Sequence, residues 1–155
     1  MFRAYHGLVF RTAYRITGNA ADAEDVSQTV FLRIFRRGED GHVLENEESY
    51  LRRAAINAGL DVLRSRQANL TEELTDVASE RSHHESRELR QALGRALAKL
   101  KPRPAEIFAL RFLEGFSNQQ IAQTLGISQV LVAVIVHRTR QQLRKELGSY
   151  LGGRS

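Results

Sequence analysis

The chain of 155 residues contains no cysteine. Disulfide frameworks, thiolate zinc sites and cysteine nucleophiles are therefore excluded, and a reducing compartment is compatible with that absence. Tryptophan is also missing and proline occurs only at Pro102 and Pro104, so few positions oppose helix formation. No run approaches the ~18 consecutive apolar residues of a membrane-crossing helix. The opening residues Met1, Phe2, Arg3, Ala4, Tyr5 and His6 lack the basic-then-apolar layout of a signal peptide. An unexported, cytoplasmic protein without membrane insertion is expected. A chain of this length holds one average domain or two very small ones, which excludes a large multidomain enzyme.

What is present is ordinary globular composition, 42% hydrophobic and 26% charged, with a formal charge of +5. That charge is unevenly spread. Residues 1–66 carry 10 Lys and Arg against 9 Asp and Glu, residues 67–90 carry 3 against 6, and residues 91–155 carry 10 against 3. A basic final third behind an acidic middle suits a segment that meets phosphates, although a merely solvated basic surface has the same composition.

The apolar spacing predicts an all-α chain. Tyr5, Leu8, Val9, Tyr14 and Ile16 recur at helical intervals until Gly18, and Asn19 is placed to cap a second helix. In that helix Asp22, Glu24 and Asp25 sit in the first turns, where the helix dipole favours negative charge, and Val26, Val30, Phe31, Ile34 and Phe35 form an apolar stripe. A break at residues 38–41 precedes Asn46, a cap for a long third helix through Tyr50, Leu51, Ala54, Ala55, Ala58, Val62 and Leu63. Residues 67–81 are polar and acidic and read as a linker. Ser82 and Glu85 then have capping-box spacing ahead of Leu89, Leu93, Leu97 and Leu100. After the two prolines a helix carries Ile107, Phe108, Leu110, Arg111 and Phe112 to Gly115. The predicted architecture is two small helical modules, a three-helix unit over 1–66 and a second unit over 91–155, joined by linker and helix start at 67–90.

The most informative stretch is 116–128. Ser117 and Gln120 form a capping box, Ile121 and Leu125 face inward, and Ala122 leaves room for a close helix crossing. Gly126 supplies the left-handed turn, Ile127 plugs it and Ser128 caps the next helix. This is helix-turn-helix grammar, whose second helix enters the DNA major groove, with a generic helical hairpin as the plainer alternative. The following residues 130–136 are an unbroken, mostly β-branched apolar run that propensity alone assigns to a strand. Read as a helix, it puts Val132, Val136, Thr139, Leu143 and Leu147 on one face, with Arg138, Arg140, Arg144 and Lys145 in later turns where they can reach phosphates.

Residues 23–32, Ala-Glu-Asp-Val-Ser-Gln-Thr-Val-Phe-Leu, resemble the signature helix of region 2 in the sigma-70 family of bacterial transcription initiation factors. Residues 14–19 before it match, as do Tyr50, Leu51, Asn57, Asp61, Leu63 and Arg64 after it. Residues 100–147 are similar to region 4, through Leu110, Arg111, Phe112, Glu114, Gly115, Ile121, Ala122, Leu125, Gly126, Ile127 and Ser128. Two such regions with a short linker are the pattern of the small extracytoplasmic-function (ECF) type.

The resemblance implies a factor that binds core RNA polymerase, directs it to promoter DNA and assists opening of the minus-ten element. Asp22, Asp25, Gln28 and Phe31 would dock on polymerase. Arg36, Arg37, Tyr50, Arg52, Arg53, Asn57 and Arg64 would handle the minus-ten element and its opened strand, arginines following the backbone and Tyr50 offering a stacking platform. Ser117, Gln119, Gln120, Ser128, Gln129, Leu131, Ala133, Val134, His137, Arg138 and Arg140 would make up the helix-turn-helix contacts to DNA. An inhibitory anti-sigma protein is a further expected partner. The chain departs from the family where members place Gly-Thr and then Lys, Ser and Arg after the capping Ser. Here Val130, Leu131, Ala133, Val134 and Ile135 offer no hydrogen-bond donors to bases. That apolar face either meets thymine methyls or packs on protein. The rival function is a helix-turn-helix regulator that binds DNA without polymerase docking, as a dimer through this surface.

Enzymatic chemistry finds no support. The sequence has no P-loop, Gly-x-Gly-x-x-Gly, His-Glu-x-x-His or Gly-x-Ser-x-Gly pattern. His83, His84 and Glu85 are adjacent helix residues that diverge by about 100° and converge poorly on one ion. Asp22, Glu24 and Asp25 have no companion nucleophile or phosphate cradle. No cofactor, no metal and no catalytic residue are expected.

Overall fold

A computed structural model of the chain describes residues 2–38, 46–69 and 84–151, and among them it contains helices and no strand. The acidic linker, apart from its first three residues, and the Ser82–Glu85 capping pattern lie outside what is described. The first unit consists of α1 (Phe2–Thr17), α2 (Ala20–Gly38) and α3 (Glu47–Asn69). The second consists of α4 (His84–Lys99), α5 (Pro102–Phe108), a π-helical turn (Ala109–Leu113), α6 (Asn118–Leu125) and α7 (Gln129–Leu151).

The predicted caps form. Asn19 Oδ1 accepts from the Asp22 N–H at 3.0 Å, and Asn46 Oδ1 accepts from the Ser49 N–H at 3.0 Å. Each satisfies an amide that the first helical turn leaves without a partner. Val9, Ala13, Val26, Val30, Phe31, Leu51, Ala55 and Ala58 then close the core of the first unit. Gly59 lets α1 and α3 approach, since a Cβ there would lie 3.2 Å from Ile16 Cγ2.

Several details depart from the sequence reading. α3 continues three residues past position 66, through Asn69. Tyr14 and Phe35, placed in apolar stripes by spacing, are exposed, Phe35 at 73%. Leu89 is exposed as well, and α4 buries Ala92 and Ala96 beside the expected Leu97. The helix after Pro104 starts earlier, at Pro102 behind Lys101. Position 130–136 is helical, and its inward face is the expected one: Val132, Val136, Thr139 and Leu143 are buried. Burial against α4, α5 and α6 outweighs the β-branched preference, which is only on the order of a few tenths of a kcal/mol per residue.

One apolar core joins the two units. Ile16, Ile56, Leu60 and Leu63 of the first are continuous with Leu97, Leu100, Ile107, Leu110, Ile121, Val132 and Val136 of the second. The side of α3 facing away from the first unit's core is therefore covered by α4 and α5.

Candidate nucleic-acid interface

The helix-turn-helix forms as its grammar predicts. Ser117 Oγ accepts from the Gln120 N–H at 3.1 Å, and Gln120 Oε1 accepts from the Ser117 N–H at 2.8 Å. Gly126 adopts φ 69° and ψ 36°, and the Ile127 N–H reaches back to the Ala122 carbonyl at 3.1 Å. Ser128 Oγ then accepts from the Leu131 N–H at 3.0 Å. α6 and α7 turn through 113°, within the range of helix-turn-helix pairs.

On the outer side of α7, Gln129, Val130, Leu131, Ala133, Val134, His137, Arg138 and Arg140 are exposed, as Gln119 is on α6. Ile135 is not part of that face: it is half-buried and packs against the core. The side chains of Ser117, Gln120 and Ser128 are committed to capping. Arg140 lies over the Phe112 ring at 5.6 Å, with Arg111 at 5.3 Å from the same ring.

α2 presents Asp25 and Gln28 outward. Two neighbours in the expected docking set behave differently. Asp22 is partly buried and ion-paired with Arg66, which ties α2 to α3. Phe31 is only 7% exposed and belongs to the core, because its position continues the Val26 and Val30 stripe. The apolar side chains that α2 does expose are Leu32 and Phe35.

The residues expected at the opened strand fall into three groups. Arg36 and Arg37 are exposed at the end of α2, and Arg37 both donates to the Tyr50 hydroxyl at 2.6 Å and lies over its ring at 5.5 Å. Arg64 stands apart, paired with Asp61 at 3.1 Å. Arg52, Arg53 and Asn57 face the second unit. Arg53 donates through Nε and Nη2 to both oxygens of Glu106, at 2.6 and 3.3 Å, and Asn57 Nδ2 donates to Glu106 at 3.2 Å. Arg52 donates to Glu114 and to Glu48, and its guanidinium lies 5.2 Å from the Phe116 ring centre. Glu114 also accepts two hydrogen bonds from Arg15, at 2.8 and 3.1 Å, and one from the Thr12 hydroxyl at 3.0 Å.

Glu106 and Glu114 are thus part of the site, although sequence reasoning singled out neither for this role. The Glu114 side chain is fully buried. Burial alone would push its pKa up, but hydrogen bonds from Arg15 and Arg52, the Arg15 charge and the Thr12 hydroxyl outweigh it and hold the carboxyl below its ordinary value. Arg53 is held above its ordinary value by the hydrogen bond and charge of Glu106, against desolvation. The π turn explains how two glutamates eight positions apart reach one helix. An α-helix at 3.6 residues per turn would leave them about 80° apart. The Glu114 N–H bonds to the Ala109 carbonyl at 2.9 Å, five residues back, and this slower winding returns Glu114 to the side of Glu106.

No group of His, Asp or Glu among the described residues could hold a metal ion. No single described helix is long and apolar enough to cross a membrane.

Comparison with known proteins places both units. Residues 1–69 match Sigma-70 region 2, and residues 90–143 match Sigma-70, region 4. The chain is 35% identical over 159 residues to the ECF RNA polymerase sigma factor SigE of Mycolicibacterium smegmatis, covering 97% of this chain and 61% of that protein. It is 30% identical over 149 residues to the RNA polymerase sigma-E factor of Streptomyces avermitilis, covering 95% of this chain and 83% of that protein. Among solved structures it is similar in fold to the sigma factor RpoE of Bartonella quintana, crystallised with the anti-sigma factor NepR, with a TM-score of 0.55 and 20% identity over 94% of this chain and 93% of that one. With both regions present in order and with this identity to its relatives, the chain belongs to the ECF group of the sigma-70 family of RNA polymerase sigma factors.

Proposed function

We propose that the chain acts in the cytoplasm by binding rather than catalysis, docking on core RNA polymerase through α2 and delivering it to promoter DNA. The first unit, residues 1–66, would take the minus-ten element and the second, 91–155, the minus-thirty-five element. The observation that carries this reading is the outward pairing of Asp25 and Gln28 on α2, next to exposed Leu32 and Phe35. A solitary helix-turn-helix regulator has no use for such a face. Polar groups around exposed apolar anchors are the composition of a protein-docking surface. The Bartonella factor's complex with an anti-sigma factor supports extending an inhibitory protein partner to this chain.

The test is run-off transcription with purified core polymerase on genomic fragments, comparing the parent chain with one carrying Asp25→Ala and Gln28→Ala. The double variant should lose polymerase affinity by about tenfold or more, the size of 1.4 kcal/mol. Its melting should be nearly unchanged, because exposed polar substitutions usually cost under about 0.5 kcal/mol. Unchanged affinity would remove α2 from the interface.

On α7 the exposed basic residues Arg138 and Arg140 are assigned to phosphates, and Val130, Leu131 and Val134 to apolar contact in the groove. Each lost phosphate contact lowers the logarithmic salt slope of DNA binding by about 0.9. Polymerase holoenzyme carrying Arg138→Ala and Arg140→Ala should therefore show a slope shallower by roughly 2 on a promoter fragment. A slope and affinity equal to the parent's would show that α7 does not touch DNA.

A further inference from the structure

Three of the α3 side chains assigned above to the opened DNA strand are not free to receive it. Arg52, Arg53 and Asn57 are engaged by two carboxylates of the second unit, Glu106 and Glu114, and Arg15 of α1 joins them. The engagement has the form of a phosphate contact. Arg53 grips Glu106 and Arg15 grips Glu114 through two nitrogens each, the fork with which guanidinium groups take carboxylate and phosphate alike.

The supply of charge makes the arrangement specific. Residues 91–155 contain three acidic side chains, Glu106, Glu114 and Glu146. The first two point at α3 and α1, and the third pairs with Lys99 inside its own unit. A basic, DNA-directed unit thus spends two of its few carboxylates on the arginine face of the other unit. Below them, Ile56 and Leu60 of α3 are sealed in the shared core, so the same helix face is covered along its length.

We propose that Glu106 and Glu114 form a carboxylate latch that occupies the α3 arginine face in place of DNA phosphates, holding the free factor closed and lowering its affinity for single-stranded DNA. The inference rests on the reading of Arg52, Arg53 and Asn57 as strand contacts. Strand and latch compete for the same guanidinium groups, so DNA binding opens the two units and opening raises DNA affinity. The apparent affinity of the closed chain is reduced by the fraction of molecules that are open.

The experiment uses the full chain, a fluorescein-labelled oligothymidylate and two readouts, fluorescence anisotropy for binding and small-angle X-ray scattering for the radius of gyration. A chain carrying Glu106→Gln and Glu114→Gln should be expanded without DNA and should bind the oligonucleotide at least about tenfold more tightly, as expected if the open fraction of the parent is a tenth or less. If that variant loses helical circular dichroism, the parent decides the matter: the oligonucleotide should expand the parent as it binds, and binding without expansion overturns the latch. An expanded variant that binds no better overturns both the latch and the strand-contact reading, since freed arginines would then make no use of phosphates. A variant that stays compact and binds as the parent does, while its holoenzyme still transcribes, overturns the latch and leaves the proposed function standing.

Discussion

A chain carrying Leu60→Ala should melt roughly 5–15 °C below its parent, in one calorimetric transition. Leu60 is fully buried on α3 and lies in the core that runs from the first unit into the second. Truncating such a leucine removes its transfer energy and leaves a cavity, at a cost of about 2–5 kcal/mol. For a chain of this size each kcal/mol lowers the melting temperature by about 2–4 °C. A single transition is expected because the shared core couples the two units: Ile16, Ile56, Leu60 and Leu63 of the first belong to the same buried cluster as Leu97, Ile107 and Leu110 of the second. Two transitions, of which only one moves with the substitution, would show that the cores are independent.

Replacing Glu114 with Gln is expected to have the next largest effect, about 2–4 kcal/mol at neutral pH. Removing one partner of a fully buried ion pair costs about 3–5 kcal/mol, and solvent around Arg15, which is 39% exposed, screens part of that here. The groups facing the carboxylate are Arg15 and Thr12 of α1 and Arg52 of α3, the last also paired with Glu48. Because the folded-state pKa of Glu114 is lowered, its stabilisation is fully present above the unfolded glutamate pKa of about 4.3 and is lost as pH falls through the folded value. Parent and variant melting curves should therefore differ most at neutral pH and converge in acid. A difference that stays constant down the acid limb would show that the charge of Glu114 is not its source.

The local devices of this protein were legible in its sequence because each is a short-range arrangement. Asn19, Asn46, Ser117 with Gln120, and Ser128 cap helices through bonds to amides three residues away, and Gly126 turns the chain by its own backbone freedom. A heptad of residues suffices to recognise any of them. The buried face of α7 was likewise readable despite its β-branched run, since Val132, Val136, Thr139 and Leu143 keep a helical period. The same periodicity erred at the edges of faces. Phe31 and Phe35 both fit the α2 stripe, yet one is in the core and the other at 73% exposure, because a single helix does not reveal how wide its covering neighbour is.

By itself, then, the sequence determined an all-helical chain, two family regions in order, and the turn that presents α7. Only the tertiary structure decided that the two regions share a core and that the α3 arginines are held by Glu106 and Glu114. Those pairs join positions separated by 53 and 62 residues, and their meeting depends on the π turn at Ala109–Leu113, which rotates one glutamate into line with the other. The scarcity of acid in the basic final third is plain in the sequence. The partners of those carboxylates could not be named from it, because an ion pair between distant residues is created by packing and leaves no local pattern for a sequence to carry.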